Sequence, residues 1–228
     1  MRNTKEEIVQ TARNLFARYG FDGVSTRMLA GEVGISVATL NYHIGSKDQL
    51  YGLIFKDAFI EEEALVMRFY DSVTESVLND AEQFRDALLG FVNDHIDLLN
   101  QFQAAPRLWL RRWVAEPDSK IAQIDVDFGR HLYQKVRDLL RRAQEAGTLT
   151  RPFNMRYFMM SFTWMEYGFF SGGSLGNIRE KSPNSPDSES IKQFKTHMQL
   201  YVCNMLGLAI SAELQAAASQ LSSTIPIV

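Results

Sequence analysis

The chain has 228 residues, 46% of them apolar and 22% charged, with a formal net charge of −3. That apolar content can build a packed core, which excludes wholesale disorder, and the mild acidity excludes a protein that coats nucleic acid through bulk positive charge. A single cysteine, Cys203, excludes an intramolecular disulfide framework and a multi-cysteine zinc site. With neither an uncharged apolar run of about 18 residues nor a signal-peptide core, a soluble cytoplasmic protein without a membrane partner is expected.

The charge is unevenly spread. Residues 1–56 carry seven Lys/Arg against five Asp/Glu, and the remainder 17 against 22. A small positive excess at the amino-terminal end can touch phosphates while the rest stays out of their field. In this end Thr4 and Glu7 form a T-x-x-E capping box, followed at helical spacing by Ile8, Ala12, Leu15, Phe16 and Tyr19 and a stop at Gly20. After the turn Phe21-Asp22-Gly23, Ser25 can cap a short helix carrying Leu29, Ala30 and Val33, which Gly34 ends. Ser36 can cap another through Leu40 to Ile44. Gly45 breaks the chain again, and Ser46 caps a long helix to about Tyr70.

Further helices are expected over about 81–103 and 119–146, the second carrying Ile121, Ile124, Phe128, Leu132, Val136, Leu139 and Leu140. Between them Pro106 and Pro117 bracket a short segment with Trp109 and Trp113. Residues 155–170 are apolar nearly all round, the pattern of a helix buried on both sides or facing a partner subunit. Residues 171–190 are rich in Gly, Ser and Pro and read as a mobile connection. A final helix spans about 190–217. No β-alternation extends beyond a few residues, so the fold class is all-α: a three-helix helix-turn-helix domain over 1–50, a larger helical domain over 51–217, and a frayed tail over 218–228.

Two short helices joined by a glycine-containing turn describe a helix-turn-helix, whose second helix enters the major groove. Leu40 and Ile44, four apart, face the core together, whereas Ala38 and Tyr42 project outward, flanked by Val37, Thr39, Asn41 and His43. Methyls, hydroxyls, an amide and an imidazole can all read base edges or phosphate oxygens. Residues 5–56 resemble the TetR family of bacterial transcription regulators, through Leu15-Phe16, Tyr19-Gly20-Phe21, Ser25-Thr26-Arg27, Ala30, Gly34-Ile35-Ser36, Thr39-Leu40, Tyr42, Ser46-Lys47 and Leu50. The resemblance implies that Ser25, Thr26 and Arg27 contact phosphate or a base edge. It further implies that Val37, Ala38, Thr39, Asn41, Tyr42 and His43 form the recognition helix and that Lys47 binds a phosphate. The chain departs from the family at Asn41, where an aromatic is usual, and at Ile44, where one is frequent. The run Tyr42-His43-x-Gly45-Ser46-Lys47 is similar to the CecR-like subgroup.

Beyond residue 56 the resemblance implies a region that binds a small effector and dimerises. His95, Phe102, Trp109, Trp113, Phe128, His131, Met159, Trp164, Glu166 and Tyr167 supply bulky apolar walls with occasional polar groups, the make-up of a ligand pocket and equally of a helical core. Glu166 and His95 stand out, because a polar group inside an apolar stretch needs a partner. The helices over about 153–171 and 190–214 resemble the family's dimer pair, with Phe158, Phe162, Phe169, Phe194, Met198, Tyr201, Met205 and Leu208 as candidate interface residues. A two-fold dimer would set two recognition helices about one DNA turn apart, or a multiple of it.

The expectation is therefore a ligand-responsive repressor, bound as a homodimer to palindromic double-stranded operator DNA and released by a small apolar or amphipathic effector. The alternative is a similar DNA-binding protein controlled by a protein partner. An enzyme is not expected: the four histidines His43, His95, His131 and His197 show no H-x-x-x-H or H-E-x-x-H spacing, and G-x-S-x-G and phosphate-loop patterns are absent. No catalytic residue, metal or cofactor is assigned.

Overall fold

A computed structural model describes residues 4–102, 104–114, 129–172 and 186–224, and every regular element among them is a helix. In chain order these are α1 (Thr4–Tyr19), α2 (Thr26–Val33), α3 (Val37–Ile44), α4 (Lys47–Ser72), α5 (Glu75–Leu78), α6 (Ala81–Gln101), α7 (Ala104–Trp113), α8 (Gly129–Glu145), α9 (Met155–Gly172), α10 (Ser188–Leu206) and α11 (Ala212–Thr224). The chain divides into two compact units, one of residues Met1–Glu61 and Phe102–Gly129, the other of Glu62–Gln101 and Arg130–Val228. Helix α4 begins in the first and ends in the second. None of the described helices is long and apolar enough to cross a membrane.

In the first unit α1 buries Ile8, Ala12, Leu15 and Phe16, an i, i+4, i+7, i+8 stripe, and packs against α2, α3 and α7. The Tyr51 ring meets Phe16 and Phe21 edge-on, each at 5.0 Å between centroids. Burial pushes the Tyr51 hydroxyl up to about 12, only partly offset by Arg111 and Arg112. The carboxyl end of α1 is finished twice over. Gly20 takes a left-handed φ of 76° and returns its N–H to the Phe16 carbonyl, while Arg111 of α7 donates to the carbonyls of Ala17 and Arg18 at 3.2 and 2.8 Å. Both satisfy carbonyls that a helix end leaves orphaned.

In the second unit α6 buries Phe84, Leu88, Phe91, Val92, His95, Ile96 and Leu99 and packs against α5, α9 and α10. Helix α8 lays Leu132, Val136, Leu139, Leu140 and Ala143 inward. Polar ties run from its other positions: Arg142 pairs with Glu75 at 2.6 Å and Asp138 accepts from the Tyr70 hydroxyl at 3.2 Å. On α9 the inward series is Phe158, Phe162, Glu166 and Phe170, four residues apart throughout.

Three features differ from the sequence expectation. The helix read as continuous over 190–217 breaks at Gly207, whose φ of 75° forms a left-handed cap, with both Gly207 and Leu208 donating to the Cys203 carbonyl. Regular structure continues to Thr224, beyond the expected end at 217. The one-turn α5, capped by the Thr74 hydroxyl on the Val77 N–H, has no counterpart in the sequence expectation. The expected helical stretch 119–128 and most of the Gly/Ser/Pro-rich connection (173–185) lie outside the described residues.

Candidate nucleic-acid interface

Helices α2 and α3 owe their ends to short side chains rather than to intrinsic propensity. The Ser25 hydroxyl accepts from the Met28 N–H at 3.1 Å and opens α2; Gly34, at a φ of 77°, closes it. The Ser36 hydroxyl accepts from the Thr39 N–H at 3.0 Å and lies 2.8 Å from the Thr39 hydroxyl, opening α3. At the head of α4, Ser46 and Gln49 form a reciprocal capping box: the Gln49 amide oxygen accepts from the Ser46 N–H at 2.8 Å and the Ser46 hydroxyl from the Gln49 N–H at 3.2 Å. Sequence reasoning missed Gln49, although Ser46-x-x-Gln49 is the signal.

With these ends fixed, α3 turns Leu40 and Ile44 into the core and leaves Tyr42 86% exposed. Ala38 and Asn41 are exposed on the same side, as i, i+3, i+4 spacing dictates. Val37 and His43 are half-buried at its margins, and the His43 ring meets Tyr42 edge-on at 5.3 Å. On α2, Arg27 is exposed and Thr26 half-buried. Lys47 is more occupied than its expected phosphate role suggests. Its ammonium donates to the carbonyls of Phe21 and Val24, both at 3.0 Å, and lies 4.0 Å from the Phe21 ring centroid. It ties the turn before α2 to the start of α4, leaving one N–H of three.

Of the residues proposed from sequence to bind an effector, Phe102, Trp109 and Trp113 belong to the first unit and His95, His131, Met159, Trp164, Glu166 and Tyr167 to the second; Phe128 lies outside the described residues. Trp109 is core, edge-on to Phe55 at 5.1 Å. Trp164 is exposed, and His131, also exposed, lies 3.9 Å from Glu63. His95 and Glu166 come together. The His95 Nδ1 is 2.7 Å from Glu166 Oε2, and its Nε2 is 3.6 Å from Glu62 Oε1, which also accepts from the Tyr167 hydroxyl at 3.4 Å. The imidazole is stacked near Phe91 and Phe162. Burial opposes charge on His95, but the carboxylates of Glu166 and Glu62 outweigh it and raise its pKa to about 10. Burial likewise raises the Glu166 carboxyl, against the pull of His95. Glu166 is wholly enclosed, and its second oxygen, Oε1, has no partner among the described residues. Glu62 escaped sequence reasoning because its acidic neighbours, Glu61 and Glu63, make it look like part of a solvated run.

The residues read as a dimer face mostly pack within the chain. Met198 is 0% exposed, and Phe158, Phe162 and Leu208 are also buried. Phe158 stacks on Tyr201 at 6.0 Å and Phe169 on Phe194 at 4.0 Å, so these four hold α9 to α10. Met205 alone of the eight is exposed. The exposed side of α9 instead carries Tyr157, Met160 and Trp164.

Residues 8–54 match the model described as bacterial regulatory proteins, tetR family. The repressor AcnR of Corynebacterium efficiens is 30% identical over 83 residues, 36% of this chain and 44% of that protein. AcnR of Corynebacterium glutamicum is 25% identical over 113 residues, 49% of this chain and 57% of that one. The match thus spans about half the length of these relatives. Among solved structures, AmtR of Mycobacterium smegmatis superposes with a TM-score of 0.64 at 19% identity over 99% of this chain and 97% of the other. AibR, in complex with isovaleryl coenzyme A and operator DNA, gives 0.63 at 18% over 91% and 100%. The ketosteroid regulator KstR2 of Mycobacterium tuberculosis gives 0.63 at 16% over 92% and 97%. These likenesses show the fold across nearly the whole chain, and the family match falls on the α1–α4 segment built above. Through that segment, residues 8–54, the chain is similar to the tetR family of bacterial regulatory proteins.

Proposed function

We propose that the chain is a DNA-binding transcriptional repressor of the cytoplasm, its residues 1–50 reading a palindromic operator and residues 51–217 binding an effector and pairing two copies. The observation that carries the reading is local: α3 is anchored by Leu40 and Ile44 while Tyr42 stands almost fully in solvent. An aromatic that exposed on an eight-residue helix has no packing role to explain it. The family match and the AcnR repressors support the same function.

Footprinting on fragments selected from the source genome tests it. A two-fold symmetric protected site is the expected result, and binding no tighter to any fragment than to bulk DNA would overturn the reading. Arg27, exposed and without an ion pair among the described residues, is placed to meet a phosphate. Arg27→Ala should weaken binding similarly for all sequences and make the slope of log affinity against log salt shallower by about 1 for each phosphate it no longer neutralises.

Response to a small effector is supported by the AibR complex with isovaleryl coenzyme A and by the buried Glu166 oxygen that has no partner among the described residues. An effector releases DNA only if it favours one conformation of the chain over another, by typically 1–3 kcal/mol. We assign the pairing of copies to the exposed Tyr157, Met160 and Trp164 side of α9, with Met205 of α10. Trp164→Glu should halve the mass seen by analytical ultracentrifugation at micromolar concentration without changing helical content. An unchanged mass would remove that face from the interface.

A further inference from the structure

Specific readout by a helix in the major groove depends on which polar atoms remain free once the fold has used the others. In the head of this chain most are used. The hydroxyls of Ser25, Ser36 and Ser46 are helix caps, the Thr39 hydroxyl is 2.8 Å from that of Ser36, and two N–H groups of Lys47 are committed to the turn before α2. The exposed side chains of α3 are Ala38, Thr39, Asn41 and Tyr42; the Thr39 hydroxyl is shared with Ser36, whereas neither the Asn41 amide nor the Tyr42 hydroxyl has a hydrogen-bond partner among the described residues. The helix, VATLNYHI, contains no lysine or arginine.

That inventory discriminates between base pairs. Guanine shows two acceptors, N7 and O6, and its usual reader is an arginine or lysine, which α3 lacks. Adenine shows an acceptor beside a donor, N7 and N6, which a side-chain amide matches with two hydrogen bonds. Thymine adds a methyl group, which an alanine methyl or an aromatic edge covers. His43, half-buried and turned against Tyr42, stands at the margin of this surface.

We propose that the base pairs read by α3 are A·T: an adenine held by the Asn41 amide and a neighbouring thymine whose methyl lies against Ala38 and the Tyr42 ring. The inference rests on the DNA-binding reading above. It assigns Asn41 the selectivity, Tyr42 and Ala38 the apolar contact, and leaves Arg27, on α2, to the backbone.

The test uses the full chain and a randomised duplex pool. Selection should enrich a symmetric motif with an A·T pair in each half-site. Replacing that adenine by 7-deazaadenine, which removes N7, should weaken binding roughly tenfold or more. The same replacement should have no effect on Asn41→Ala. Asn41→Gln, which keeps an amide, should retain the adenine preference, separating readout from damage to the fold. Uracil in place of the neighbouring thymine should weaken the parent chain but not Tyr42→Ala. A motif whose Asn41-dependent position is guanine, or one in which no position loses its dependence in Asn41→Ala, would overturn the A·T assignment while leaving DNA binding intact. A pool that yields no enriched sequence would instead sink the DNA-binding reading, and the assignment with it.

Discussion

His95→Phe is expected to destabilise the second unit by about 3–5 kcal/mol, the cost of breaking a buried ion pair by removing one partner. Phenylalanine keeps a ring between Phe91 and Phe162, so packing is largely conserved. What disappears is the positive charge and the donor 2.7 Å from Glu166, leaving a fully enclosed carboxyl group unmatched. Replacing both groups, as His95→Phe with Glu166→Leu, should recover most of the loss, because an apolar pair carries no desolvation cost.

The same cluster gives the protein a pH dependence of definite sign. An unfolded histidine titrates near 6.5, and His95 in the folded chain near 10. Below pH 6.5 both states are protonated and the stabilisation is complete. Between 6.5 and about 10 the folded state holds one more proton, so stability falls by up to roughly 1.4 kcal/mol per pH unit and the contribution is gone above it. Thermal melts from pH 6 to 10 should show a decline in the parent that the double variant lacks; parallel curves would refute the coupling.

Gly45→Ala is the second large effect. At φ 69° and ψ −124° the backbone lies where only glycine is at ease, and a Cβ there would stand 2.1 Å from the Gln49 amide oxygen. A side-chain tip can usually swing away, but this oxygen caps the Ser46 N–H, so moving it forfeits the cap. Strain and the missing cap together amount to roughly 2–4 kcal/mol. They fall on the junction between α3 and α4, and DNA affinity should drop with stability. Gly31→Ala is the control of opposite sign: Gly31 is helical, nothing lies within 4 Å of its Cβ position, and alanine should stabilise by about 0.5–1 kcal/mol. Denaturant titration distinguishes the two.

The amino-terminal head was legible because its punctuation is local. Ser25, Gly34, Ser36, Gly45 and Ser46 mark helix ends within a few residues of the groups they satisfy, and the inward placement of Leu40 and Ile44 follows from spacing alone. The long α4 and α6 were legible for the same reason. The burial of Glu166 was also readable, since it falls in the four-residue series with Phe158, Phe162 and Phe170. Its partner was not, because His95 lies 71 positions away and nothing local connects them. Nor could α9 declare which of its two apolar sides meets α10, as both Phe158 and Tyr157 satisfy the pattern; only packing against Tyr201 decides. Gly207 escapes notice because Leu208 and Ala209 continue the apolar rhythm of the preceding helix.

The helix ends around α2 and α3 are finished by uncharged groups: serine hydroxyls, a glutamine amide and glycine backbone. Neutral caps are nearly indifferent to dissolved electrolyte, whereas the attraction between a protein and a polyphosphate is not. If the proposed DNA binding holds, concentrated potassium chloride should therefore lift the protein off a duplex long before it loosens the α2–α3 segment. Titrating the counterion becomes a way to gauge the ionic part of the grip on an otherwise unaltered surface.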